Sequence, residues 1–407
     1  MTLTTIKELD SVKILNYLII TYAFFIPISR AGIGITSALI ILVWLLKFDI
    51  KNDIKQFLQN KFTLIFLLLI LYTFISLLWS SNIDEGINYA KRYWYYFPLF
   101  IIALHFRKEY FKPAISAFLL SMFVSEMMSY GMYFELISWT NSSSPYATPF
   151  MNHLQYSAYV VFTSLFLLNQ ILYEKDMKMK LFYSIFFLSV SINLFVNGGR
   201  IGYVAFFSTI FIVFILHMQN KIKALIISIL IIVFSVSVAY NASAIFKKRV
   251  DFTLKELNYI AEEKFHTSFG QRLAMFYMGG QILKENPLIG VGAGDEMDVL
   301  KEKIKTEEYK KFHYLDDRRH FHNVFLHITV QLGLLGLILI LALFYYFYKI
   351  PIKDTYYSNI KYIFITVYLI TCLTGNMFHQ QFTMALLTLF GGLILNQSLL
   401  ESKAEKL

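Results

Sequence analysis

The chain reads as an all-α polytopic membrane protein, with about twelve transmembrane helices and a helical periplasmic subdomain inserted before the tenth span. Three observations predict this. Hydrophobic residues fill 57% of the 407 positions and charged residues only 16%, against roughly a quarter charged in soluble domains. The mean hydropathy is +0.54, and about twelve apolar stretches reach or approach the ~20 residues that cross a bilayer as helix. Basic residues also crowd alternate connecting segments, as the positive-inside rule requires.

In chain order the apolar stretches fall at 13–29, 31–47, 62–79, 93–106, 113–136, 153–173, 181–198, 200–217, 222–240, 323–348, 359–375 and 379–398. The first lacks a small-residue cleavage site and is followed at once by another span, so it is expected to be a retained helix and not a signal peptide. With the N-terminus inside, the short inside segments hold nineteen Lys and Arg. The short outside ones hold only Arg30, Lys91, Arg92 and Arg200. Both ends are therefore expected in the cytoplasm. The net charge of +10 is mainly a topology signal, and no nucleic-acid fold or motif accompanies it. Cys372 is the only cysteine, which excludes an intrachain disulfide and a cysteine-based zinc site.

Three regions follow: a membrane bundle over 1–240, a helical periplasmic subdomain over 241–321, and a second part of the bundle with a cytoplasmic tail over 322–407. One short outside loop, Thr140 to His153, is rich in serine, asparagine and proline and reads as turns. The long segment 241–321 carries fourteen Lys/Arg and thirteen Asp/Glu, a mixed-sign composition that can fold. Within it, Leu273, Phe276, Tyr277, Ile282 and Leu283 recur at helical spacing over Gln271 to Lys284. Asn286-Pro287 ends that helix, Leu288 to Asp295 forms a glycine-rich turn, and a charged, solvated helix is expected from Glu296 to Phe312.

The residues suited to chemistry gather where this segment re-enters the membrane. Asn323 is a good helix N-cap. The helix it opens offers unpaired N–H groups and positive potential to an anion. That potential lowers the pKa of the adjacent His322, so a neutral imidazole is at hand as a general base or hydrogen-bonding group. Gly333 and Gly336 are expected to let another helix approach closely.

Arg200, within Asn197-Gly198-Gly199-Arg200-Ile201-Gly202, has two readings. It is an interfacial arginine that snorkels to headgroups, or its planar fork binds phosphate, with flanking glycines admitting a bulky anion. Arg272 opens the amphipathic helix, where it opposes the helix dipole and hints at an anion beside it. Arg318, Arg319 and His320 add positive charge before His322, and Asp316 and Asp317 are available to pair with them. His320, His322 and an aspartate can be pictured on a metal, but no HExxH or DxD pattern occurs and no catalytic metal is expected. Glu126 lies well inside a span, where it serves function or a buried hydrogen bond.

His322-Asn323, nine residues, then Gly333-Leu334-Leu335-Gly336 resembles the signature of bacterial O-antigen ligases, within the O-antigen ligase/polymerase superfamily. Gly199-Arg200-Ile201-Gly202, the long outer loop, and Arg272 followed by Glu285-Asn286-Pro287-Leu288-Ile289-Gly290-Val291-Gly292 also look like that family. The resemblance in topology covers the whole chain, whereas the matching motifs are three short patches. It implies a metal-independent, inverting glycosyltransferase without cofactor. The donor would be a glycan on undecaprenyl diphosphate and the acceptor the lipid A–core. By position, Arg200 and Arg272 would bind the diphosphate and His322 would serve catalysis, with Asn323, Arg319 and His320 in support. An O-antigen polymerase would use the same donor. A lipid-glycan transporter, for which internal repeats would be expected, and a non-catalytic docking protein are the readings from other classes.

Overall fold

The computed structural model describes residues 3–138 and 147–405, with side chains from residue 11 onward. Half of the serine- and proline-rich loop expected at Thr140 to His153, residues 140–146, lies outside the described residues. Seventeen helices follow in order among them: α1 Leu3–Phe25, α2 Arg30–Lys47, α3 Ile50–Gln59, α4 Lys61–Ile75, α5 Ile83–Ala90, α6 Phe97–His105, α7 Phe111–Tyr133, α8 His153–Tyr173, α9 Met177–Val196, α10 Arg200–His217, α11 Lys221–Ala242, α12 Ala244–Ala261, α13 Ser268–Glu285, α14 Glu296–Ile304, α15 Val324–Tyr348, α16 Thr355–Cys372 and α17 Gln381–Ala404. No strand occurs among the described residues. The protein is an all-α, multi-pass membrane protein.

Each of the twelve apolar stretches falls on a helix, but nine of the described helices are long and apolar enough to cross a membrane. The other three depart for local reasons. In α1 the continuous apolar part is only Ser11–Phe25. Helix α6 is nine residues long and follows a short 3-10 segment, Lys91–Tyr96. Helix α16 carries the buried Lys361, whose ammonium donates to the carbonyls of Tyr348 at 3.0 Å and Ile350 at 2.7 Å. The Tyr348 carbonyl ends α15, where no intrahelical donor remains, and Ile350 lies two residues beyond it.

Helices α8 and α17 form the centre of the bundle and are buried nearly all round, while α11 is exposed over most of its length. An all-round apolar helix needs neighbours or lipid on every face, and these two cases show both solutions. Phe390 of α17 packs edge-on against Phe162 at 4.4 Å and Phe118 at 5.1 Å. The Tyr159 hydroxyl bonds the Phe382 carbonyl at 2.6 Å, tying α8 to the start of α17.

The segment after α11 has a core of its own. Met275, Met278, Ile282, Leu300, Ile304 and Leu315 are buried together, and Val330 of α15 joins them. The charged helix expected over Glu296 to Phe312 is shorter than its charge pattern suggested. It ends at Ile304, a 3-10 turn occupies Lys310–Leu315, and one face of α14 is buried through Met297, Leu300 and Ile304. Asp298 and Glu302 lie on the exposed side, while Glu296 is buried.

Candidate active site

The glycine-rich turn does not sit on the surface. It is inserted into a break in α15. Gly333 there has φ +66°, outside the helical region, so α15 is two helical pieces joined at a kink. The freed backbone groups are satisfied by the turn. Val291 and Gly292 N–H donate to the Val330 and Gln331 carbonyls at 3.0 and 2.9 Å, and Leu334 and Leu335 N–H donate to Pro287 and Leu288 at 2.9 and 3.2 Å. Irregular backbone at membrane depth is tolerated only when protein satisfies it in this way.

Gly333 therefore does not receive a neighbouring helix, as its spacing with Gly336 suggested. A Cβ on Gly333 would lie 2.2 Å from the Leu288 carbonyl oxygen, and one on Gly336 would meet Leu332 and Ile328 of its own helix. The close neighbour is a loop, which a helix-packing reading of small residues does not anticipate.

The far side of the turn is clamped by Asp295. Its carboxylate accepts from Ser81 and Asn82 N–H at 2.6 and 2.7 Å and from the Ser80 hydroxyl at 2.9 Å. Gln331 and the Gly294 N–H reach the carboxylate of Glu296 at 3.2 and 3.1 Å, and His327 Nε2 lies 3.5 Å from it. Burial pushes the Glu296 carboxyl up to about 7, so a proton sits on or near it at neutral pH. The turn, α14 and the first half of α15 thus form one polar unit beneath His322.

Asn323 caps α15 as its type predicts. Its Oδ1 accepts the Leu326 N–H at 2.9 Å and its amide donates to the Leu373 carbonyl at 3.1 Å. His322, just before it, has φ +50°, a left-handed conformation that costs a residue with a Cβ about 1–2 kcal/mol. The His320 and His322 rings are 4.2 Å apart, and His322 Nδ1 is buried with no hydrogen-bond partner. Burial, then His320, Arg272 and Arg318, lower the His322 pKa to about 3. The shift has the expected direction, but its causes are burial and the neighbouring His320, Arg272 and Arg318, not the helix terminus.

Arg272 is half-buried at the start of α13, beside Arg200 and Glu256. Burial and then the Arg200 charge lower its pKa. Arg200 neither snorkels nor stands alone. Its guanidinium donates to the Glu256 carboxylate and to Thr253 Oγ1 at 3.2 Å. Glu256 is 0% exposed and also accepts the Phe269 N–H at 3.0 Å. Burial by itself would raise that carboxyl, but Arg200 and the Phe269 N–H outweigh it and hold it below the usual value. Arg249 and His153 complete the neighbourhood electrostatically. Gly199 and Gly202 are taken up by packing and do not open a way for an anion, since a Cβ on them would lie 1.9 and 3.0 Å from Ser157 atoms.

The structure therefore brings His322, His320, Arg272 and Arg200 together, while Arg319 faces the other way, into a second cavity described below. Arg318 takes the place beside His322, and its Nε is buried without a partner. Asp316 and Asp317 are exposed and form no ion pair among the described residues. Glu126 accepts a hydrogen bond from Ser189, between α7 and α9, and makes no hydrogen bond to this cluster. The residue most plainly missed from the sequence is Glu256. Its signal was present: Arg249, Thr253 and Glu256 recur at i, i+4 and i+7, a polar stripe on one face of α12. Among the described residues, no three His, Cys, Asp or Glu side chains converge as metal ligands.

One turn below His322, at Phe325, begins an apolar groove of about 670 Å³ between α10, α15 and α16, reaching Tyr348 at the opposite end of α15.

No curated protein matches the chain. Residues 185–341 match the family model described as O-antigen ligase, a stretch that holds Arg200, Glu256, Arg272 and His322, and this match supports the O-antigen ligase/polymerase superfamily.

Proposed function

We propose that the protein is an O-antigen ligase, transferring a glycan from undecaprenyl diphosphate to the lipid A–core at the periplasmic face of the bacterial inner membrane, with both termini in the cytoplasm. The observation that carries the proposal is a neutral, half-buried His322 set beside Arg272 and Arg318, with Arg200 held in place by Glu256. Superfamily members are glycosyltransferase-like enzymes of O-antigen and lipopolysaccharide pathways, and the apolar groove suits the prenyl chain of such a donor.

In the proposed step an acceptor hydroxyl attacks the anomeric carbon from the side opposite the diphosphate. The new C–O bond forms as the old one breaks, which inverts the centre. The diphosphate leaves with the bonding electron pair, and its growing charge is met by Arg272 and Arg200 in a site where few waters compete. The hydroxyl proton passes to the His322 imidazole. A histidine with a pKa near 3 is a feeble base, and the substrate itself corrects this. A bound diphosphate offsets the cations that depress His322 and moves its pKa toward neutrality.

The test is transfer by purified protein in detergent with a chelator present, with His322→Ala alongside. Ligated product that requires His322 and no divalent metal supports the reading. Lengthening of the lipid-linked glycan without ligation would make the protein a polymerase, and absence of both activities with both lipids bound would sink the transferase reading.

A further inference from the structure

On the other side of the start of α8 lies a second polar cavity, of about 720 Å³, separate from the His322 cluster. Four cations line it, Arg30, Lys91, Arg92 and Arg319, and none of its lining residues is acidic. None of the four forms an ion pair among the described residues. They come from three separate parts of the chain: the start of α2, the 3-10 segment after α5, and the strap before His322. All four are exposed, so water screens their mutual repulsion, and the cavity presents a field of one sign that attracts an anion.

Two further features narrow the ligand. Gln155 and Gln380 also line the cavity. The side-chain oxygen of each is buried without a partner, and Gln155 is only 3% exposed. An unpaired amide oxygen accepts from hydroxyls, which a sugar has and a bare phosphate dianion lacks. Trp94 and Tyr95 stand at the same cavity, ring centroids 4.3 Å apart, aromatic residues of the kind found at membrane–water boundaries.

The strap 318–322 links the two sites. Arg318, His320 and His322 belong to the first, and Arg319 to the second. We infer that this cavity binds a phosphate-bearing sugar headgroup of a membrane lipid, the acceptor of the reaction, and holds it across the strap from the donor. The cations take the phosphate oxygens and Gln155 and Gln380 take sugar hydroxyls. The acceptor role rests on the transferase reading above; the binding does not.

The experiment uses the full chain in detergent and reads Trp94 fluorescence as the difference between the protein and its Trp94→Phe variant. Probes are diphosphorylated lipid A, the same lipid with phosphates removed, inorganic phosphate, and undecaprenyl diphosphate. Saturable response to the phosphorylated lipid is expected, weakened about tenfold or more by Arg92→Gln and, separately, by Arg319→Gln. Arg92→Lys should recover part of the loss, which a misfolded variant would not.

Equal response to the dephosphorylated lipid, or no response, overturns the inference. Inorganic phosphate binding as well as the lipid reduces the cavity to a free-anion site, and undecaprenyl diphosphate binding as well assigns it to the donor; both outcomes sink the inference as stated. Selective binding in a protein that shows no transfer would sink the transferase reading alone. Transfer in a protein whose cavity ignores phosphate would sink this one alone.

Discussion

The guanidinium of Arg200, first residue of α10, donates to the carboxylate of Glu256 in α12, so a cation of the site also closes a contact between two helices. Arg272, beside it, has no such partner among the described residues. The two arginines proposed for the same leaving group therefore differ in what else they do.

That difference predicts unequal stability. Arg200→Ala strands a buried carboxylate and should cost about 3–5 kcal/mol, the range for breaking one side of a buried pair. Arg272→Ala should lower the unfolding midpoint far less. Adding Glu256→Gln to Arg200→Ala should restore most of the stability and none of the transfer. Thermal unfolding in detergent with a transfer assay on each variant reads this out; recovery of both together would make Arg200 purely structural.

His322 predicts a split in pH dependence. Free enzyme holds its pKa near 3, so kcat/KM for the donor should have no acidic limb from this residue above about pH 4. In the bound complex, the diphosphate raises that pKa. The base must be neutral, so kcat should fall as pH drops through the raised value. Profiles of both constants between pH 4 and 9 test it, and superimposable acidic limbs would remove His322 as the base.

The same histidine is strained. His322→Gly relieves the left-handed backbone and removes a buried nitrogen without a partner. The variant should be as stable as the parent or more so, by about 1 kcal/mol, and inactive in transfer. A stable, active glycine variant would show that the backbone shape matters and the imidazole does not.

Gly333 and Gly290 should be intolerant of a side chain. Gly290 has φ +71°, and its added Cβ would lie 2.5 Å from Gln331 backbone atoms. Alanine at either position must displace the turn from α15 and expose up to four backbone hydrogen bonds. Gly280, with nothing within 4 Å of an added Cβ, is the control, and alanine there should be neutral or stabilising by up to about 1 kcal/mol. Folded yield and midpoint by size-exclusion and thermal melts distinguish them.

Asp295→Ala removes three hydrogen bonds, two of them from the backbone N–H groups of exposed Ser81 and half-buried Asn82. A cost of about 2–4 kcal/mol is expected, since bonds to charged groups count for more than neutral ones. Hydrogen exchange should rise over 286–294 and 80–86 together. A rise confined to one segment would mean that the clamp is not what joins them.

Much of the fold is legible in the chain because membrane helices are announced locally. Run length, basic flanks and the Asn323 cap each depend on a few neighbouring residues. Their environment, lipid or helix, asks only that backbone bonds close within the segment. The long polar insert, the amphipathic α13 and the turn after Asn286-Pro287 are visible for the same reason, as are the chemical types gathered at His322.

Tertiary structure alone decided how those pieces meet. Arg200 and Glu256 are 56 positions apart, and no periodicity pairs them. The break in α15 at Gly333 exists because residues 287–292 arrive to satisfy it, so an apolar pattern that reads as one unbroken span becomes two pieces around a loop. Arg318 and Arg319 are neighbours in sequence, yet the strap sends them to opposite sites. Local energetics selects helices and caps; which charges share a cavity is settled by packing, because burial removes the water that would otherwise let each charge stand alone.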